Sequence, residues 1–147
     1  MSQVFVSGHK SPDTDSIAAA LSYSYLKRRL GMDAVAVRAG EINKESRFAL
    51  DYFNLEEPML VTSVARKNPE DEKQKVILVD HNESKQTIDG MDDAEVLEII
   101  DHHRFGDFES ENPIFILVRP VGCVNTVIYG LYKANHIRLS SEIAGIM

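Results

Sequence analysis

Hydrophobic positions in this chain fall into two textures. One is the short, nearly solid apolar run: Val4 to Val6, Ala34 to Val37, Met59 to Val61, Val76 to Val79, Val96 to Ile100 and Ile114 to Val118. β-Branched residues dominate these runs, which predicts strands buried on both faces of a sheet. In the other, apolar residues recur every three or four positions. Ile17, Leu21 and Tyr25, with Ala18 to Ala20 among them, predict a helix from near Ser16 to Gly31,. Phe48, Ala49, Tyr52 and Phe53 predict the apolar face of a second helix beginning at Glu45,. Val124, Val127, Ile128, Leu131 and Tyr132 predict a third. Ser140 is placed to cap a fourth, which carries Ile143, Ala144, Ile146 and Met147,. Strands alternating with helices imply parallel strands joined by right-handed crossovers. The expected fold is an α/β domain, a parallel sheet with helices on both faces. Arg66 to Lys75 is charged and aperiodic, and reads as a surface loop,.

Composition narrows the partners. A length of 147 residues suits one domain, residues 1–147, with a sizeable core,. The net charge of −7, with Lys27-Arg28-Arg29 read as a solvated helix end, argues against a nucleic-acid partner,. Phosphate substrates stay open if metal ions supply the positive charge. One cysteine rules out an intrachain disulfide and fits a reducing compartment,. No signal-peptide pattern and no membrane-length apolar stretch occur, so a cytoplasmic protein without a membrane partner is expected,. The last helix stops on its apolar face, from which we expect a longer parent chain.

The chemistry collects at strand ends. Gly8-His9-Lys10-Ser11-Pro12-Asp13-Thr14-Asp15-Ser16 joins the first strand to the first helix. Taken alone it has a plain reading: Asp15 caps the helix, Asp13 sits in a turn and His9 packs. Two further strands, however, run directly into Asp80-His81-Asn82-Glu83 and Asp101-His102-His103-Arg104. Parallel sheets bind ligands outside the carboxyl ends of their strands. Carboxylates crowded there repel one another unless a cation lies between them. Oxygen and imidazole donors together suit Mn, Fe, Co or Zn, and more than four such groups point to two ions. Two ions assist in-line displacement at phosphorus, so the expected reaction is hydrolysis of a phosphoester or phosphoanhydride.

These motifs, with Pro120-Val121-Gly122-Cys123, Ala49-Leu50-Asp51-Tyr52-Phe53 and Glu142-Ile143-Ala144-Gly145, closely resemble the manganese-dependent (family II) inorganic pyrophosphatases. Those enzymes belong to the DHH phosphoesterase superfamily, named for the Asp-His-His triplet. The resemblance implies that His9, Asp13 and Asp80 hold one Mn²⁺ or Co²⁺, and that Asp15, Asp80 and His102 hold a second. It implies that a water between the ions attacks pyrophosphate, which brings further Mg²⁺. His103 would contact the phosphate and serve in proton transfer, while His81, Asn82 and Asp101 orient the ligands. It also implies a homodimer, for which Ile114 to Val118 is the candidate edge strand. The family's further ligating Asp and its substrate-gripping domain are not in these residues, so little activity is expected of this chain alone. The alternatives are a DHH phosphodiesterase acting on oligonucleotides or cyclic dinucleotides, and a metal-binding fragment without catalysis. Cys123 reads as a small residue in a tight turn.

Overall fold

The structure, a computed structural model, describes residues 3–147. Six parallel strands form one sheet: β1 (Val4–Ser7), β2 (Ala34–Arg38), β3 (Met59–Leu60), β4 (Lys75–Val79), β5 (Glu95–Asp101) and β6 (Phe115–Val118). Their order is β3-β2-β1-β4-β5-β6. The chain therefore grows outward from β1 through β2 to β3, then returns to the other side of β1 with β4. The reversal leaves a crevice between the carboxyl ends of β1 and β4, the switch point where open α/β sheets take their ligands.

Four α-helices accompany the sheet: α1 (Thr14–Arg29), α2 (Lys44–Tyr52), α3 (Val124–Ala134) and α4 (Ser141–Ile146). Val4, Val6, Ala34, Ala36, Ile77, Val79 and Ile100 point to one face, where Ala19, Ala20, Tyr23 and Leu26 of α1 and Val124, Val127 and Ile128 of α3 cover them. Small residues in the middle of α1 let it lie close against the strands. α2 and α4 then pack on α1 through Leu50 and Ile146, which meet Ile17 and Ala18. This makes α1 a central helix, apolar on several sides.

The other sheet face presents Phe5, Val35, Val37, Val76, Leu78 and Ile99. Here the expected covering helices take a reduced form. Val64, Ile88, Met91, Phe108 and Ile114 cover this face, from loops and from beside two single 3-10 turns, Ser84–Gln86 and Met91–Asp93. The connections after β4 and β5 are charged and lack a helical apolar period, which explains why no α-helix forms in them,.

The N-cap of α1 is Asp13, accepting from Ser16 N–H at 2.9 Å, so the plain reading of the first turn, already set aside, does not describe it either. Two local expectations are corrected. α2 buries Ser46 and Leu50 and turns Phe48 and Tyr52 outward, where the two rings stack at 5.9 Å. The inner side of α2 faces α1 near its capped start, where Thr14 and Ser46 are in polar contact, so the bulky aromatics lie away from that contact. Lys27 is not solvated: its Nζ lies 2.5 Å from Glu98 Oε1, and Tyr23 OH donates to Glu98 Oε2 at 2.6 Å. A bulge explains why Glu98 is there. The β4–β5 register slips so that Val76 faces Val96 but Ile77 faces Glu98, with Leu97 left over. The extra residue turns both Leu97 and Glu98 toward α1,.

Candidate metal centre

The turn after β1 is built around Ser16. Its Oγ accepts from His9 N–H at 3.0 Å while its own N–H goes to the Asp13 cap. Gly8 makes this close passage possible, because a methyl group there would overlap the Ser16 hydroxyl. His9 is thereby held above the start of α1 with Asp13 beside it. At the neighbouring strand, the Asp80 N–H still donates to Ile100 carbonyl at 3.0 Å, prolonging the ladder by one residue. The backbone then turns left-handed, with Asp80 at φ 63°. For a residue with a side chain this costs about 1 kcal/mol or more, and Asp tolerates it better than most.

Asp80 is 1% exposed and lies between two imidazoles. Its Oδ2 is 3.3 Å from His9 Nε2, which is also 3.7 Å from Asp13 Oδ1. Its Oδ1 is 3.1 Å from His102 Nε2, which is also 3.5 Å from Asp15 Oδ2. The structure thus brings His9, Asp13 and Asp80 into one group and Asp80, Asp101, His102 and His103 into an adjoining one, which Asp15 meets through its contact with His102. His103 Nδ1 is 3.9 Å from Asp80 Oδ1.

Hydrogen bonds on the far side of each ring decide which nitrogen faces inward. His102 Nδ1 lies 2.8 Å from the Val121 carbonyl, which can only accept, so Nδ1 carries the proton,. In the neutral ring Nε2 is then a bare lone pair aimed at a carboxylate oxygen, an arrangement that calls for a cation between them. His81 shows the same pattern: Nδ1 meets the Val79 carbonyl at 2.9 Å, and Nε2 is buried without a partner. Asp80 Oδ2 is likewise buried without a hydrogen-bond partner among the described residues.

Asp101 is wholly buried and acts as a hub. Its Oδ1 accepts from the N–H groups of His102 (2.7 Å) and His103 (3.2 Å), and from His103 Nδ1 (2.8 Å). Its Oδ2 accepts from Asn82 Nδ2 at 2.6 Å. Asn82 also donates to the Arg104 carbonyl at 3.0 Å and accepts from Gly106 N–H, closing the loop. Asp101 and Asn82 therefore shape the His102–Arg104 turn, and one ligand atom of Asp101 lies within 4.8 Å of those of Asp80, His102 and His103.

Sequence reasoning missed Asn125. Its side-chain N–H₂ donates to Asp15 Oδ1 at 2.7 Å from the start of α3. The pairing spans 110 positions, and only the apolar spacing of α3, which places Asn125 beside Val124 on its inner side, could have flagged it.

Titration reflects the crowding. Burial raises the Asp80 carboxyl above the ordinary carboxylate range, the neighbouring His9 partly offsets this, and Asp15 and Asp13 add to it,. His9 is raised chiefly by its contact with Asp80. For His102, burial pulls downward but is outweighed by the Val121 carbonyl and the charges of Asp80, Asp15 and Asp101. Burial drives His81 down to about 4, so its ring is neutral near pH 7.

A cavity of about 760 Å³, larger than a second one near the cluster, lies on the loop-covered face between Lys10, Asn82, Phe108 and Ile114. The smaller, about 290 Å³, is lined by His81, Asn82, Glu83, Gln86, His103 and Arg104 and adjoins the cluster. The imidazoles of His81 and His103 and the Glu83 carboxylate border the smaller space, while His9, Asp13, Asp15, Asp80 and His102 do not line it.

An orphaned buried carboxylate oxygen, imidazole lone pairs aimed inward and a mixed O/N donor set fit divalent transition-metal ions,. These features define an α/β domain with a candidate metal centre at the switch point of a parallel sheet. Residues 3–147 match the N-terminal domain of the DHH family, and the chain belongs to that family. It is 48% identical over 147 residues to a protein of Exiguobacterium sp. and 50% identical to one of Bacillus licheniformis, each named a probable manganese-dependent inorganic pyrophosphatase. Each match covers 100% of this chain and 46% of the relative, so the chain spans about half their length. A crystal structure from Methanococcus jannaschii, named as a candidate family II inorganic pyrophosphatase, superposes with a TM-score of 0.85 at 36% identity, covering 98% of this chain and 46% of that one. An exopolyphosphatase-related protein from Bacteroides fragilis shares the fold, with a TM-score of 0.65 at 19% identity over 98% of this chain and 44% of that one.

Proposed function

We propose that this chain is the metal-holding part of a manganese-dependent inorganic pyrophosphatase, acting in the cytoplasm on pyrophosphate and not on nucleic acid. The observation that carries the reading is Asp80, buried between His9 and His102 with an oxygen left unpaired. His9, Asp13 and Asp80 would hold one ion, and Asp15, Asp80 and His102 the other, with Mn²⁺ or Co²⁺ in both sites and Mg²⁺ arriving with substrate. When bound, such ions lower the pKa of a water and neutralise charge on phosphoryl oxygens.

The chain's own residues then have distinct tasks. Asp101 accepts a hydrogen bond from His103 Nδ1–H, so Nε2 is the nitrogen free to take up a proton and, once protonated, to donate to a phosphate oxygen,. The His103 side chain is 52% exposed, compatible with contact from outside. Arg104 and Lys10 are the cations at these strand ends, and both are engaged, with Glu83 at 3.1 Å and with Asp89 at 2.5 Å. Among the described residues, then, the cations at these strand ends are already paired, which supports low activity of this chain by itself. β6 supports the homodimer: it is an edge strand with Phe115 and Ile116 half exposed,.

Phosphate release from pyrophosphate, measured with Mn²⁺ for this chain and for the longer protein containing it, tests the reading. The longer protein is expected to turn over pyrophosphate, and this chain to bind Mn²⁺ while releasing little phosphate. Hydrolysis of short oligonucleotides but not of pyrophosphate by the Mn²⁺-loaded longer protein would overturn it.

A further inference from the structure

Asp15 is gripped from α3, not from its own helix. Val124 N–H donates to its Oδ2 at 2.9 Å. Asn125 donates to Oδ1 twice, from Nδ2 at 2.7 Å and from its backbone N–H at 3.4 Å, and Nδ2 also reaches the Asp15 carbonyl at 3.2 Å. Oδ1 is thereby committed to Asn125, while Oδ2, with one backbone donor, is the oxygen 3.5 Å from His102 Nε2. Asn125 is itself fixed. It is 2% exposed, its Oδ1 accepts from Ser22 Oγ at 2.9 Å, and the Ser22 carbonyl accepts from Tyr132 OH at 2.5 Å. No rotation of the amide satisfies both Ser22 and Asp15 except this one, because swapping its ends would set a carbonyl oxygen against a carboxylate.

We infer that Asn125 is a positioning residue that clamps Asp15 so that only Oδ2 is presented toward His102, making Asp15 a one-oxygen ligand for the ion of that group. The inference rests on the two-ion reading above. It goes beyond that reading because Asn125 touches neither the other group, His9 and Asp13, nor the space for substrate. Loss of the amide leaves Oδ1 with only the long backbone contact from residue 125, so the carboxylate is held chiefly at Oδ2 and can swing about that bond. Partners that orient metal ligands in this way typically change affinity by 10- to 100-fold when removed.

Mn²⁺ titration of the longer protein containing this chain, followed by calorimetry and by the electron paramagnetic resonance signal of free Mn²⁺, separates the possibilities. Asn125→Ala is expected to keep one Mn²⁺ at wild-type affinity and to weaken the other about 10- to 100-fold. A purely structural role would weaken both equally or neither, and either result in a folded variant overturns the inference. Ser22→Ala removes the anchor of the amide without touching Asp15, and is expected to weaken the same ion by less. Should Asn125→Ala not fold by near-ultraviolet circular dichroism, Ser22→Ala decides: two unchanged affinities overturn the inference. Fewer than two Mn²⁺ bound by the longer wild-type protein, in which the family's further ligating Asp is present, refutes the underlying two-ion reading instead.

Discussion

His102 turns Nε2 to within 3.1 Å of Asp80 Oδ1 while its Nδ1 proton is held by the Val121 carbonyl at 2.8 Å. Without a metal, that contact is favourable when a proton lies between ring and carboxylate; with one, the lone pair is already aimed. The raised titration of His102 and His9 expresses this competition between proton and metal ion,.

The pH dependence of the metal-free chain follows. His9 and His102 bind protons more tightly folded than unfolded, so their contribution to stability is complete below the unfolded value of 6.5 and is lost as pH rises through the higher folded values,. His81, held down to about 4, works only below 6.5, and the lowered carboxylates Glu57, Asp93 and Asp107 only in acid. The melting temperature of the metal-free chain is therefore expected to fall as pH rises above about 6.5, while the increase produced by added Mn²⁺ grows. Differential scanning calorimetry across pH 6–8, with and without Mn²⁺, checks both signs; a metal-free melting temperature that rises through this window contradicts them.

Asp80→Asn separates metal binding from folding. The neutral amide keeps the shape, tolerates the left-handed backbone and removes a buried charge whose carboxyl is already raised by burial,. The metal-free variant is expected to be as stable as the wild type or more so. At a Mn²⁺ concentration 100 times the wild-type dissociation constant, the wild type gains ~2.7 kcal/mol. The variant, expected to bind at least 100-fold more weakly, gains no more than ~0.4 kcal/mol. Chemical denaturation at matched Mn²⁺ measures the difference; an undiminished gain in the variant would remove Asp80 from the ligands.

Gly8→Ala has no room. The new methyl would fall on Ser16 Oγ, and relief requires moving the start of α1, on which His9 and Asp13 depend. Overpacking of this kind costs about 1–3 kcal/mol. Urea unfolding of the metal-free variant is expected to show that loss, with weaker Mn²⁺ binding alongside it. Full wild-type stability would mean that the turn yields easily.

Ile116→Lys places a charge on the half-exposed edge strand β6, where charges discourage strand-to-strand pairing,. If β6 joins two copies, sedimentation velocity is expected to show a dimer for the wild type and a monomer for the variant. Equal mass for both would assign the interface elsewhere.

Much of this fold is legible in the chain because strand runs such as Val76–Val79 are apolar on both faces, and few other structures tolerate that,. The three polar strand ends were legible because each follows such a run directly. What stayed hidden depends on contacts distant in sequence. Asp13 and Asp15, two acceptors two residues apart, look alike as caps until the turn around Ser16 is built. The bulge that sends Glu98 to Lys27 is a register slip between strands, which no single-strand pattern records. Phe48 and Tyr52 have the spacing of a buried face, yet Leu50 and Ser46 occupy it. Asn125 carries no local signal of its partnership with Asp15.

The central claim is that Asp80 is shared by two ions. A crystal structure of the chain grown with Mn²⁺, with anomalous scattering recorded at the manganese edge, tests it most directly. Two anomalous peaks are expected, one within bonding distance of His9 and the other of His102, both in contact with Asp80. A single peak, or peaks that leave the Asp80 carboxylate unbound, would contradict the account.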